Sequence, residues 1–122
     1  MISLAPSKDP YEIDLPYGII LTVKPLTTHL MLRAQLKARK KVEESSPTDD
    51  LENEALYQET LIEELAISQI AAWQGVADET GEKSADVTPE NVKALMALYP
   101  IGERFFAAIT LKQMLMHAAK KE

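Results

Sequence analysis

Three side-chain caps and one proline break divide most of this chain into helices. Thr27, Asp49 and Thr88 each stand before a run with apolar residues at helical spacing, and each carries an oxygen that can accept from a first-turn N–H. Leu26 and Met31 are placed to staple across the Thr27 cap, and that first helix is expected to reach about Glu44 before Ser45-Ser46-Pro47 stops it. Asp49 with Glu52 forms an Asp-x-x-Glu start. The second helix is expected to continue to about Trp73, with Gly75 in the left-handed C′ position and Val76 as the apolar residue beyond it. Thr88-Pro89-Glu90 starts a third helix: a cap, a proline in the first turn and an acid opposing the dipole. It should end at Tyr99, because Pro100 restricts the residue before it. A last helix spans Ile101 to about Lys120.

Ahead of the helices, Tyr11-Glu12-Ile13-Asp14-Leu15 alternates apolar and polar residues, the period of a half-buried strand. Pro16-Tyr17-Gly18 is turn-forming, and Ile19 to Lys24 is β-branched enough to return. A two-stranded hairpin is marginal alone, so it must pack on the helices or pair with another chain. Residues 1–10 read as an arm, and Ala77 to Val87 as a loop or weak hairpin. The expected fold is mainly α, a short N-terminal β-hairpin followed by about four helices in one domain over 11–122.

The 122 residues include no cysteine, which excludes disulfides, thiolate catalysis and Cys-ligated zinc. A net charge of −6 argues against general affinity for phosphate backbones. No run approaches the roughly 18 apolar residues of a membrane span, and the first residues lack a secretory pattern, so a cytoplasmic protein is expected. His29 and His117 have no partner at catalytic or ligand spacing, so neither a metal nor a cofactor is expected. An EF-hand count from Asp78 puts Lys83 and Pro89 where glycine and glutamate belong, and the pattern fails. With four scattered glycines and no nucleophile–base set, an enzyme is not expected.

Arg33, Lys37, Lys40 and Lys41 share one side of the first helix. If the first two helices form an antiparallel hairpin, Arg33 comes opposite Glu59 and Glu63, and Lys40 near Glu52, which explains the basic stripe without nucleic acid. The last helix is apolar around most of its circumference, beyond the roughly 100° stripe of a surface helix. Its face around Phe106, Met114 and Met116 is the expected place for a protein partner, since thioethers adapt to varied surfaces.

Trp73-Gln74-Gly75-Val76, the acidic turn with Asp78 and Gly81, and Thr88-Pro89-Glu90-Asn91 together resemble the tail assembly chaperones of long-tailed bacteriophages and prophages. Val23-Lys24-Pro25-Leu26-Thr27 resembles the step from hairpin to helices in the same family. The likeness covers about residues 19 to 109, and Glu82 to Val87 is more polar than the usual link. It implies a non-enzymatic protein of the bacterial host cytoplasm that binds the tape measure protein during tail morphogenesis, with Trp73, Gly75, Val76, Asp78, Gly81, Thr88, Pro89, Glu90 and Asn91 as structural motif positions. It also admits the major tail protein as a second partner, and homo-oligomers. The rival readings are a phage structural or tail completion/connector protein and a small helical DNA-binding regulator.

Overall fold

Alternation in the first strand and β-branching in the second produce the expected hairpin. The computed structural model describes residues 9–45 and 49–119, with side chains from 112 onward excepted. Strand β1 (Tyr11–Leu15) pairs antiparallel with β2 (Ile19–Val23), from Tyr11 opposite Val23 to Leu15 opposite Ile19. Tyr17 and Gly18 take positive φ of 68° and 74° in the connection, which reverses the chain within three residues. Ile13, Leu15, Ile19, Leu21 and Val23 turn inward and are buried, while Glu12 and Asp14 face out. Of the expected arm, residues 1–8 lie outside the described residues, and Asp9 and Pro10 are exposed coil.

Helices α1 (Thr28–Ser45) and α2 (Asp50–Gln69) begin where their caps predict. The Leu30 N–H donates to Thr27 Oγ1 at 3.1 Å and the Glu52 N–H to Asp49 Oδ1 at 2.8 Å. Leu26 and Met31, the stapling pair, are both half-buried against the core. Ala34 and Ala38 are the buried residues of α1, and small side chains there let it lie close against α2.

The second helix does not reach Trp73. It ends at Gln69, and the chain passes without a loop into strand β3 (Ile70–Gln74). The Ile70 N–H still donates to the Ala66 carbonyl, but ψ at Ile70 has opened to 117°. The sheet is therefore three-stranded, in the order β1-β2-β3, and the fold is a helix-dominated mixture of α and β rather than helices with a hairpin. The open edge of β2 outweighs the helix preference of Ala71 and Ala72, because paired backbone groups replace those the helix would supply. Gln69 fixes the switch point: its carbonyl accepts from the Lys24 N–H at 2.8 Å, and its Nε2 donates to the Lys24 carbonyl at 2.9 Å.

A bulge completes the junction. Ile20, Leu21 and Thr22 pair with Gln74, Trp73 and Ala72, whereas Val23 pairs with Ile70, so Ala71 is the extra residue. That insertion puts Ile70 and Trp73 on the same inner face despite a spacing of three. Gly75 is correspondingly no helix C′ residue. Its φ of 80° is left-handed as expected, but it follows a strand, and a Cβ there would overlap the Gly18 carbonyl oxygen.

Helix α3 (Pro89–Met96) stops three residues short of Tyr99. Leu98 N–H to Leu95 carbonyl and Ile101 N–H to Leu98 carbonyl tighten the chain into a turn, which contains a cis Tyr99–Pro100 peptide. Helix α4 (Ile101–Ala119) leaves at 99° to α3. Gly102 permits this approach, since a Cβ would overlap the Met96 carbonyl oxygen. Ile101, Phe105 and Ile109, at i, i+4 and i+8, are buried in a connected core with the sheet, α2 and α3. Lys120, where this helix was expected to end, lies outside the described residues.

Candidate functional site

The motif positions between Trp73 and Asn91 form a buckle joining β3 to α3. Trp73 is half-buried, and its Nε1 donates to the Ala85 carbonyl at 2.8 Å. This anchors the far strand of a weak hairpin, in which Ala77 bridges Ser84, Asp78 N–H donates to the Lys83 carbonyl, and Ala85 N–H to the Val76 carbonyl. At the tip, Asp78 accepts from the Thr80 hydroxyl and N–H. The Thr80 hydroxyl bond leads in holding the Asp78 carboxyl below its ordinary value. Gly81 has φ of 77°, and its N–H reaches the Asp78 carbonyl. The Thr88 hydroxyl then accepts from the Asn91 N–H at 3.2 Å, and Asn91 Nδ2 returns to the Asp86 carbonyl at 2.8 Å. Pro89 and Glu90 occupy the first turn of α3. Trp73 thus holds the Asp78 loop from a strand, not from the end of the second helix.

Between α1 and α2 the ion pair that forms is Lys37 to Glu64 at 2.9 Å; the expected pairings of Arg33 with Glu59 and Glu63, and of Lys40 with Glu52, do not. Arg33 faces solvent, and Lys40 lines a shallow recess with Glu63, Glu64 and Lys93. The observed pair joins Lys37 to a residue further along α2 than the expected pairings would place opposite it. Glu63 is half-buried. Burial leads in raising its carboxyl pKa and Glu59 adds to the effect, while Lys93 and Lys41 oppose it.

On α4, Phe106 is half-buried and packs against the core. The side chains of Met114 and Met116, the other expected partner-contacting residues, lie outside those described, as does His117. Large apolar residues are exposed elsewhere. Leu32 and Leu36 of α1 are 54% and 60% exposed, and Tyr99 at the α3–α4 turn is 82% exposed, beside exposed Leu98. Their absence from the expected surface has a simple cause: leucine at i and i+4 reads as a core stripe, and here the neighbouring alanines take that role.

A recess of about 300 Å³ lies between α2 and the α3–α4 turn. Ile62, Met96 and Ala97 make its apolar part, Tyr99 its lip, and Glu59, Glu63 and Glu103 its charged border. Among the described residues no group of three or more His, Asp or Glu is placed to hold a metal, and no single helix is long and apolar enough to cross a membrane. His29 is exposed near the start of α1. Comparison with protein-family models, with curated proteins and with solved structures finds no match.

Proposed function

We propose that this chain is a phage tail assembly chaperone that binds the tape measure protein while the tail tube forms around it. The observation that carries the reading is the buckle. Trp73, Gly75, Asp78, Gly81, Thr88 and Asn91 are the positions of the family resemblance, and each has a definite backbone role within one connected unit. Such residues build a scaffold for a binding surface, as a non-catalytic chaperone requires. The exposed leucines and the apolar recess are consistent with a protein that works by contact with other chains. The client face is proposed on α4, around Phe106, Met114 and Met116, where a helical client would pack helix on helix.

The test begins with gene neighbourhood, where a long helical reading frame should lie beside this gene, and continues with co-expression of its product as the client. The client should be soluble with this chain and aggregate without it, and this chain should be absent from purified virions. Met114→Glu should abolish the rescue with little change in melting temperature. Retention in purified particles would replace the proposal with a tail completion or connector protein. Tight binding to random duplex DNA would replace it with a regulator.

A further inference from the structure

Two surfaces of this chain complement each other in shape class and in charge. Leu32 and Leu36 form a ridge one turn long on the outward side of α1, opposite the buried Ala34 and Ala38. His29, Arg33 and Lys40 are exposed on the same side. A chain of net charge −6 thus places three basic side chains beside these two exposed leucines. The recess between α2 and the α3–α4 turn has the opposite design, with Ile62 and Met96 on the inside and Glu59, Glu63 and Glu103 around it.

We propose that the chain associates with a second copy of itself by seating the Leu32–Leu36 ridge of one copy in the α2/α3–α4 recess of another, with Arg33 and Lys40 of the first meeting Glu59 and Glu103 of the second. Burial of two leucines supplies the driving force, and the charged borders set the orientation and disfavour ridge-on-ridge contact. Both halves of the contact are present on every copy, so the interface joins unlike surfaces. It closes when two copies exchange ridges and continues as an assembly when they do not. The proposal stands independently of the chaperone reading, because it uses neither the buckle nor the client face of α4.

Sedimentation equilibrium of the full chain tests it with a ridge variant, Leu32→Gln/Leu36→Gln, and a recess variant, Glu59→Lys/Tyr99→Ser. The wild-type chain should associate between roughly 1 and 500 μM, the range of modest protein affinities. Each variant alone should associate at least about 30-fold more weakly, the effect of losing an interface hot spot, while its circular dichroism melt stays that of a folded protein. An equimolar mixture should form a complex of two copies, since one variant keeps the recess and the other the ridge. Raising salt should weaken the wild-type assembly by screening. Should a variant not fold, charge reversal replaces it: Arg33→Glu/Lys40→Glu should stay monomeric, and adding Glu59→Lys/Glu103→Lys should restore association. A wild-type chain monomeric throughout, variants that associate like wild type, or a mixture that stays monomeric each overturn the proposal. Loss of client solubilisation by the ridge variant in a monomeric wild type would assign the ridge to the client instead.

Discussion

Helices α1 and α4 are both rich in apolar residues, yet they use them in opposite ways. Among the described side chains, helix α4 buries Ile101, Phe105 and Ile109 in the space between the sheet, α2 and α3 and leaves Leu111 exposed. Helix α1 buries Ala34 and Ala38 and leaves Leu32 and Leu36 in solvent. The difference lies in what each helix meets. Helix α4 meets three elements at once, β1, α2 and α3, and bulky side chains fill the space among them. Helix α1 lies along a single neighbour, and alanine allows the closest approach to it. Hydrophobicity alone would rank the leucines as core and the alanines as filler, so burial in this protein follows the distance to the neighbouring element as much as side-chain polarity.

That contrast can be broken by substitution, and the largest effect belongs to α4. Phe105→Ala should cost about 3–5 kcal/mol, the cost of removing a buried aromatic ring, read from urea unfolding. A loss below about 1 kcal/mol would mean that the space among these elements is not filled by this ring. Next comes enlargement of the tight contact. Ala38→Leu should cost about 1–3 kcal/mol through overpacking against α2, and an unchanged midpoint would show that α1 has room to spare.

A smaller effect concerns α2, which pairs Glu64 with Lys37 on its α1 side and holds the half-buried Glu63 nearer α3. The folded carboxyl pKa of Glu63 is raised above its ordinary value of 4.5, so ionising it opposes folding. Below that ordinary value both states are protonated and the penalty vanishes; it develops as pH rises through the raised folded value. Glu63→Gln should therefore raise Tm near neutral pH and leave it unchanged near pH 3. Equal gains at both pH values would place the cause elsewhere than ionisation. The smallest stability effect belongs to the ridge. Leu32→Gln and Leu36→Gln should each change stability by no more than about 0.5 kcal/mol, since both side chains are already more than half in water. A loss of 2 kcal/mol or more from either would erase the contrast with α4, because a leucine truncation of that size is a core effect.

Local chemistry made the helix starts legible. Thr27, Asp49 and Thr88 cap where their side chains alone predict, because a cap needs only the next three residues. The β1–β2 hairpin was legible for the same reason, as alternation and a short turn are properties of adjacent residues. In the candidate site, the turn at Asp78 and the cap at Thr88 could be read from sequence. The bond from the Trp73 indole to Ala85 depended on Trp73 lying in β3 opposite Leu21 of β2, a pairing of residues distant in the chain.

What the sequence by itself determined was therefore where helices begin, where the first two strands lie, and that no cysteine chemistry operates. Only the tertiary structure decided where α2 ends and which face of α1 is buried. Ile62, Ala66, Ile70 and Trp73 keep a helical period across a junction that is not helical throughout, because the bulge at Ala71 restores by strand geometry the same inward pair. No glycine or proline marks that change. It depends on the unpaired edge of β2 and on Gln69 binding Lys24, 45 residues away. The face of α1 was equally undetermined, because leucine and alanine both favour helix and only the closeness of α2 selects the smaller one for burial.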